Sequence, residues 1–339
     1  MEKPVRIAIN GFGRIGRTAF RAGYKRKELE FVAFNDLTDT KTLAHLTQYD
    51  SIYGTLSEKV EFDEKNLNVA GKKIPVLAEK DPTKLPWKEM EVDIVLECTG
   101  FFTEREGADG HIKAGAKKVV ISAPTKSEDI PTYIIGANED KITGDEDIIS
   151  NASCTTNCIA PIAKIISDEI GVEKSMMTTT HSYTSSQVLV DGPTDDLRRA
   201  RAAALNIVPT TTGAATAAAL AVPELKGLFD GLSVRVPTPI VSLSDFVFLT
   251  KKDVTPEEVN EIIRKKSSEE RYQRIVRLEE NELVSTDLIG DTHSSIVDAP
   301  LTMVVDKNLL KVVAWYDNEY GYSNRLVDIA ILLAKKADL

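Results

Sequence analysis

Residues 5–36 constrain the fold more than any other stretch of this 339-residue chain. An apolar run typical of a buried strand leads into a Gly-x-Gly-x-x-Gly turn, a helical pattern and a second apolar run that ends at Asp36. This order predicts a βαβ unit whose first turn and helix N-terminus bind the pyrophosphate of a dinucleotide. Asp36 lies where a carboxylate can bind the ribose 2′-hydroxyl. The turn consists of Gly11, Phe12, Gly13, Arg14, Ile15 and Gly16.

Two further apolar runs predict that this unit belongs to a doubly wound parallel sheet. Residues 92–98 and 118–122 have the continuous apolar pattern of strands that are buried on both faces. Thr99 and Ser122 stand at the carboxyl ends of these runs, the edge at which such sheets bind ligands. Both residues are therefore candidates for cofactor binding.

Local signals predict where two later helices begin. Thr103 and Glu106 have the spacing of a capping box, and Thr255 and Glu258 have the same spacing. His111 falls on the first of these helices. We expect this helix to lie on the surface, and the sequence indicates no partner for His111.

Cys154 is the candidate nucleophile. It lies where an apolar run gives way to a small polar cluster, and a helical pattern follows from Ile159. The unpaired N–H groups and the positive dipole end of a helix N-terminus favour the thiolate, which is the reactive form of cysteine. The hydroxyl groups of Ser153 and Thr155 beside it suit an oxyanion or a phosphate. The alternative interpretation is a polar helix cap around a buried, inert cysteine.

The second half of the chain offers a base and groups that bind anions. His181 lies near the end of a strand pattern at residues 175–183, and a histidine can accept a thiol proton near neutrality. Thr212 and Gly213 open a small-residue helix whose start can bind an anion. Arg235, between two valines of a strand, is either a paired core charge or a phosphate ligand.

The length of the chain predicts two domains. We expect an α/β fold with a Rossmann-type dinucleotide-binding domain over residues 1–153. An α+β catalytic domain with a largely antiparallel sheet should follow over residues 154–317, and a C-terminal helix within residues 318–339 should return to the first domain. The spacing of Cys154 and Cys158 lacks a second ligand pair, so no metal site is expected.

Composition excludes several classes of protein. The net charge of −10 argues against a general nucleic-acid or membrane-surface binder, because such proteins need a basic face. Three cysteines do not make a disulfide scaffold. The N-terminal sequence runs straight into a strand pattern without a signal peptide, and residues 326–334 are too short for a transmembrane span. We therefore expect a cytoplasmic enzyme without nucleic-acid or membrane partners.

Residues 150–158, Ser-Asn-Ala-Ser-Cys-Thr-Thr-Asn-Cys, resemble the active-site signature of the phosphorylating glyceraldehyde-3-phosphate dehydrogenases letter for letter. Motifs similar to that family recur from residue 9 to residue 324. The resemblance implies that Cys154 is the nucleophile, that His181 activates its thiol and that Arg235 binds phosphate.

The same resemblance assigns further residues. It places Lys80 near the adenine, where a solvated lysine is the alternative, and it implies that Asn318 contacts the nicotinamide amide. It identifies residues 184–206 as a loop that lines the cofactor site of a neighbouring subunit, which implies a homotetramer; a solvated charged loop is the alternative. The candidate substrate and phosphate ligands are Ser153, Cys154, Thr155, Thr184, Arg199, Thr212, Gly213 and Arg235.

Cofactor choice depends on the surroundings of the ribose. Asp36 should repel a 2′-phosphate, and Leu37 is the neighbour that the NAD-dependent members of the family have. The family's leucine–proline pair is here Gly192 and Pro193, so weaker use of NADP stays open. Thr216 departs from the family in the same way, since it occupies a position that is usually lysine.

The implied reaction is the NAD-dependent oxidative phosphorylation of D-glyceraldehyde 3-phosphate to 1,3-bisphosphoglycerate through a cysteine thioester, a step of glycolysis and gluconeogenesis. Its substrates are the aldehyde and inorganic phosphate. Three alternatives remain: an erythrose-4-phosphate dehydrogenase, a non-phosphorylating aldehyde dehydrogenase, and a catalytically idle nucleotide-binding regulator.

Overall fold

The computed structural model describes residues 3–339 and divides them into two compact units. The first unit comprises the chain up to Tyr133, Asp140–Ala152 and Ser323–Leu339. The second comprises Ile134–Glu139 and Ser153–Tyr322.

The first unit is built on a mainly parallel sheet. Its elements are β1 (Val5–Asn10), α1 (Arg14–Gly23), β2 (Leu29–Asn35), α2 (Thr40–Gln48), β3 (Tyr49–Asp50), β4 (Gly54–Thr55), β5 (Val60–Phe62), β6 (Asn66–Val69), β7 (Lys72–Leu77), β8 (Ile94–Glu97), α3 (Arg105–Lys113), β9 (Lys118–Ile121) and β10 (Ile148–Ser150). The strand order is β10-β9-β8-β1-β2-β7-β6-β5. Neighbours from β10 to β7 are parallel, whereas β6 pairs antiparallel with both β7 and β5. The Rossmann-type sheet expected from the sequence is thus confirmed.

The start of α3 differs from the prediction. The N-cap residue is Glu104, whose side chain makes no cap hydrogen bond within the described chain. The N–H of Arg105 donates instead to Ser127 Oγ, 2.9 Å away. The capping box predicted at Thr103 is therefore wrong, because an acceptor from a distant loop occupies the helix start. The capping box at Thr255 is present.

His111 of α3 is fully buried, although the helix was expected on the surface, and it has partners that the sequence did not indicate. Its ring contacts the indole N–H of Trp87 and the carboxylate of Glu97. Both partners lie in other segments of the chain, which a periodicity within one helix cannot reveal.

The second unit is built on a mixed sheet. Its elements are α4 (Cys154–Glu169), β11 (Val172–Ser182), β12 (Val208–Thr210), α5 (Ala214–Ala221), β13 (Phe229–Val236), β14 (Ser242–Thr250), α6 (Pro256–Ser268), β15 (Val276–Glu279), β16 (Ser295–Asp298), β17 (Met303–Val305) and β18 (Leu309–Tyr316). The last helix, α7 (Tyr320–Lys336), belongs to the first unit from Ser323 onward. The strand order is β12-β13-β11-β14-β18-β16-β15, with β17 also on β18. β11–β13 and β15–β16 are parallel and the other pairs are antiparallel, as the predicted α+β class requires.

Candidate active site

Cys154 is the first residue of α4, and local geometry explains this position. Ala152 has a left-handed φ of +50°, which turns the chain after β10. Ser153 then caps the helix, because its Oγ accepts a hydrogen bond of 3.1 Å from the N–H of Thr156. The cysteine thus lies at the helix N-terminus that the sequence predicted.

His181 faces the thiol from the end of β11. Its Nε2 lies 3.5 Å from Cys154 Sγ, and its Nδ1 lies 2.7 Å from the carbonyl oxygen of Ser182. A carbonyl only accepts, so Nδ1 carries the ring proton and Nε2 presents a lone pair to the thiol. Arg235 Nη1 is 3.2 Å from His181 Nδ1, but the two nitrogens do not form a hydrogen bond because both are donors. Arg235 Nη1 donates instead to Ser182 O and Thr184 Oγ1.

Burial decides the protonation of this pair. It raises the pKa of the Cys154 thiol, although the charge of Arg235 and the hydrogen bonds of Thr155 act in the opposite direction. It lowers the pKa of His181 to about 3, and the charge of Arg235 contributes to this shift. A helix N-terminus alone therefore does not produce the thiolate that the sequence predicted, because desolvation of the sulfur outweighs it. Neutral thiol and neutral imidazole face each other.

Tyr316, which sequence reasoning missed, braces the pair. Its Oη lies 2.9 Å from both Thr155 Oγ1 and Thr179 Oγ1, and so joins the first turn of α4 to β11. Its ring meets the ring of His181 edge-on at 6.0 Å. Burial raises the pKa of this phenol far above its usual range, so the hydroxyl stays protonated.

Asn318 is held by two serine hydroxyls. Ser182 Oγ and Ser242 Oγ both donate to its Oδ1, each at 3.0 Å. With the oxygen occupied by two donors, the orientation of the amide is fixed. Asn318 is thus a buried amide with a fixed orientation, and Ser182 connects it to the end of the strand that carries His181.

Arg235 has one buried N–H group without an acceptor among the described residues. Its Nε is buried and has no hydrogen-bond partner among residues 3–339. A buried guanidinium N–H without an acceptor is costly, and an anion in this position would satisfy it. The structure brings Cys154, His181, Thr184 and Arg235 into one cluster of direct contacts.

Other candidate phosphate ligands lie along β12 and α5. Arg199 donates to Thr210 Oγ1 at 3.1 Å and pairs with Asp196. Thr212 Oγ1 accepts the N–H of Ala214 at 3.1 Å, at the start of α5. Gly213 is exposed there. β12 is an edge strand and pairs with β13, the strand that carries Arg235. These candidate ligands and Arg235 are therefore on or next to neighbouring strands at one end of the sheet.

The turn after β1 fits a dinucleotide. Gly11 has a φ of +89°, and a Cβ there would lie 2.6 Å from the backbone N of Thr99. A Cβ at Gly16 would lie 2.2 Å from Gly11 O, whereas the described structure leaves the space beside Gly13 open. Gly13 is the N-cap residue of α1, and the described chain supplies neither a side-chain cap nor a first-turn carboxylate there. A helix N-terminus of this kind can bind an anion.

Asp36 is tied to this turn. One carboxylate oxygen accepts the N–H of Phe12 at 2.8 Å and the other accepts the N–H of Thr38 at 2.9 Å. The side chain of Arg14 forms an ion pair with Asp50. Arg14 and Ile15 are the first two residues of α1, and both contribute their backbone to the helix start. Three more candidates lie at strand ends or in the loops beyond them: Thr99 after β8, Ser122 after β9 and the exposed Lys80 after β7.

Residues 3–339 contain neither a metal-binding cluster nor a helix able to span a membrane. The described part of the chain holds no group of three His, Cys, Asp or Glu side chains arranged to bind a metal ion. Among its helices, none has both the length and the apolar character needed to cross a membrane.

Comparison with known proteins covers nearly the whole chain. Residues 5–105 match the family model described as glyceraldehyde 3-phosphate dehydrogenase, NAD binding domain, and residues 153–318 match that of its C-terminal domain. The chain is 54% identical over 333 residues to glyceraldehyde-3-phosphate dehydrogenase 1 of Bacillus subtilis (strain 168), which covers 98% of this chain and 99% of that protein. It is 55% identical over the same length and coverage to the glyceraldehyde-3-phosphate dehydrogenase of Geobacillus stearothermophilus. The chloroplastic glyceraldehyde-3-phosphate dehydrogenase A of Chlamydomonas reinhardtii is 50% identical over 338 residues, with 99% and 90% coverage.

Proposed function

The chain belongs to the glyceraldehyde-3-phosphate dehydrogenase family, and we propose that it catalyses the NAD-dependent oxidative phosphorylation of D-glyceraldehyde 3-phosphate to 1,3-bisphosphoglycerate. The family predicted from residues 150–158 is confirmed, and with it an NAD-dependent oxidoreductase. One observation carries the proposed roles of the residues: Cys154 Sγ lies 3.5 Å from His181 Nε2, beside the unpartnered Nε of Arg235.

The first step is proton transfer within the buried pair. His181 Nε2 takes the proton of Cys154, and the resulting thiolate attacks the aldehyde carbon to give a hemithioacetal. Burial opposes an isolated charge on either group, but the transfer creates two opposite charges in contact. The pair therefore ionises together.

The residues that would hold NAD are those of the turn and strand ends: Gly11, Phe12, Gly13, Arg14, Ile15, Gly16, Asp36, Lys80, Thr99, Ser122 and Asn318. NAD, when bound, would accept the hydride of the hemithioacetal carbon, and this oxidation would leave a thioester on Cys154. His181, protonated in the first step, donates one hydrogen bond from Nε2 to the alkoxide oxygen of the adduct, and it returns the proton to the sulfur when phosphate releases the thiolate.

Phosphate then attacks the thioester, releases the acyl phosphate and regenerates the thiol. This requires one anion site for the substrate phosphate and one for the attacking phosphate. The cluster of Arg235 and Thr184 supports one site, and the group of Arg199, Thr212 and Gly213 supports another. Ser153 and Thr155 add hydroxyl groups beside the sulfur.

The test is NADH formation from D-glyceraldehyde 3-phosphate with and without inorganic phosphate. We expect turnover that depends on phosphate and a higher kcat/KM than with erythrose 4-phosphate. Phosphate-independent turnover would indicate a non-phosphorylating enzyme, a preference for erythrose 4-phosphate would indicate that dehydrogenase, and no NADH from either aldehyde would indicate an idle regulator.

We also propose that the protein is a homotetramer. Large apolar side chains are exposed along the loop at residues 184–206 and just beyond it: Leu189, Val190, Leu197, Leu205 and Ile207, of which Leu197 is 84% exposed. Several large exposed apolar side chains in one segment are typical of a protein–protein interface. The reaction also needs a free thiol at Cys154, which supports the expected cytoplasmic, reducing location.

A further inference from the structure

Buried side chains join the carboxyl ends of three strands in the first unit. Asn10, Asn35 and Glu97 are the last residues of β1, β2 and β8, and all three are buried. His111 and Trp87, which are also buried, extend the connection to α3. We call these five residues the strand-end network. The proposed reaction uses none of them.

The direction of each hydrogen bond around Glu97 follows from chemistry. The Trp87 indole can only donate, so His111 Nδ1, 3.0 Å away, accepts. A neutral imidazole then carries its proton on Nε2, which donates to Glu97 Oε2 at 3.1 Å. Asn10 Nδ2 donates to the same oxygen at 2.6 Å. The N–H of Thr99, at 2.7 Å, and its hydroxyl donate to the other oxygen. Both carboxylate oxygens are saturated by donors.

The network continues from Asn10 to the next strand. Asn35 Nδ2 donates to Asn10 Oδ1 at 2.7 Å. Asn35 Oδ1 accepts the N–H of Glu79 at 2.9 Å, and its Nδ2 donates to the carbonyl of Glu79 at 2.8 Å. The loop that carries Lys80 is thereby fixed to the end of β2.

These contacts connect the turns that carry the candidate cofactor ligands. Glu97 holds the Thr99 turn, and the carbonyl of Asn35 accepts the N–H of Gly11 at 2.8 Å. The Thr99 and Gly11 turns are in close contact, since a Cβ on Gly11 would overlap the Thr99 backbone. A shift of the Glu97 carboxylate would therefore move the Thr99 turn against the Gly11 turn.

We propose that Glu97 is a positioning residue of the dinucleotide site: its carboxylate, held by Asn10 and His111, sets the position of the Thr99 turn relative to the Gly11 turn. The inference rests on the proposed NAD site. It assigns Glu97 no contact with the cofactor. A network that only stabilised the core would affect folding without affecting cofactor affinity.

The test is Glu97→Gln, which replaces one acceptor oxygen with a donor facing other donors. The dissociation constant of NAD, measured without aldehyde, should rise about tenfold or more, the size of one lost hydrogen bond to a charged group. At saturating NAD, kcat and the KM for the aldehyde should stay within about threefold of wild type, because the Cys154 cluster is built from other residues.

Tyr133→Phe is the matched control. Tyr133 Oη donates to Glu146 Oε1 at 2.7 Å in the same unit, so this variant also loses a hydrogen bond to a carboxylate, but outside the strand-end network. It should lower Tm and leave NAD affinity within about twofold of wild type. His111→Leu, which removes one donor to Glu97, should weaken NAD binding by about threefold.

The inference is overturned if Glu97→Gln binds NAD as wild type does, or if Tyr133→Phe weakens binding equally. If Glu97→Gln does not fold, His111→Leu decides, and unchanged NAD affinity in that variant overturns the inference. A wild-type protein that binds NAD but forms no NADH from the aldehyde would overturn the proposed reaction alone, because the positioning of the NAD site would stand.

Discussion

His181 and Arg235 are direct partners in the parallel pairing of β11 with β13, and this register places a guanidinium beside the imidazole that faces Cys154. The cation lowers the pKa of both members of the pair, because it disfavours imidazolium and favours thiolate. Its effect on Cys154 favours the nucleophile, while its effect on His181 keeps the base unprotonated. One strand register thus links the proposed anion site to the proposed activation of the nucleophile.

Arg235→Gln should weaken both functions. Loss of a charge-assisted hydrogen bond should lower kcat/KM by roughly 10- to 100-fold, mainly through the KM for phosphate or the aldehyde. Because the cation lowers the pKa of Cys154, its removal should shift the pH dependence of Cys154 alkylation upward. Stopped-flow alkylation from pH 5 to pH 10 measures the shift. Arg264→Gln, at an exposed pair with Glu280, is the control and should change neither quantity.

Cys154→Ser should abolish dehydrogenase activity and leave NAD binding intact. A serine hydroxyl is far less ionised than a thiol, and loss of a nucleophile commonly reduces turnover by roughly a thousandfold or more. NADH formation and NAD titration on the same preparation separate the two effects. Residual activity within tenfold of wild type would show that the nucleophile lies elsewhere.

His181→Asn should slow turnover by roughly 10²- to 10⁴-fold, the usual size of general acid–base catalysis. The pKa of His181 is lowered to about 3, so the wild-type imidazole is an unprotonated acceptor at neutral pH. Without it, alkylation of Cys154 must await the free thiolate, whose pKa burial has raised, so the alkylation profile should move to higher pH. An unmoved profile would exclude His181 as the activating base. His45→Asn, at an exposed histidine, serves as the control.

Leu197→Glu should dissociate the proposed tetramer. The side chain is 84% exposed, so a charge there is harmless to the isolated subunit but unfavourable within a subunit contact. Sedimentation at assay concentration should show a mass near four subunits for wild type and a smaller mass for the variant. Val284→Glu, at an exposed residue outside the 184–206 loop, should leave the mass unchanged. A fully active wild-type monomer would contradict the proposal.

The features predicted well from sequence are those whose causes are local. The glycine turn after β1 follows from neighbouring residues, and the capping box at Thr255 forms within one helix turn. The box expected at Thr103 fails because Ser127 supplies the acceptor from another loop. The partners of His111 were not predictable for the same reason, since Glu97 and Trp87 come from separate segments.

The candidate site shows the same division. The helix start at Cys154 and the strand that carries His181 were predictable from pattern, and their pairing was implied by the family resemblance. The brace of Tyr316 and the unpartnered Nε of Arg235 were not predictable, because both depend on which strands of the sheet lie side by side. The pKa of Cys154 could not be predicted either, because desolvation depends on the whole surrounding core.

Cofactor preference gives the last prediction, and it depends on Asp36. Its half-buried carboxylate should repel a 2′-phosphate: at about 4 Å, two unit charges interact by roughly 4 kcal/mol at an intermediate effective dielectric. Gly192 removes a side chain that the family usually has, but it supplies no cation to offset this repulsion. We therefore expect NAD to be preferred, with weaker but measurable NADP activity.

Asp36→Ala should reverse part of that preference. The variant also loses the acceptors for the N–H groups of Phe12 and Thr38. The Gly11 turn should therefore loosen, and both cofactors should bind less well. The decisive quantity is thus the ratio of kcat/KM for NADP to that for NAD, which should rise at least tenfold, since relief of charge repulsion acts on NADP alone. Leu37→Ala, an uncharged change at the neighbouring exposed residue, should leave the ratio within about threefold of wild type. A wild-type enzyme with the higher kcat/KM for NADP would mean that Asp36 serves the turn and does not face the ribose.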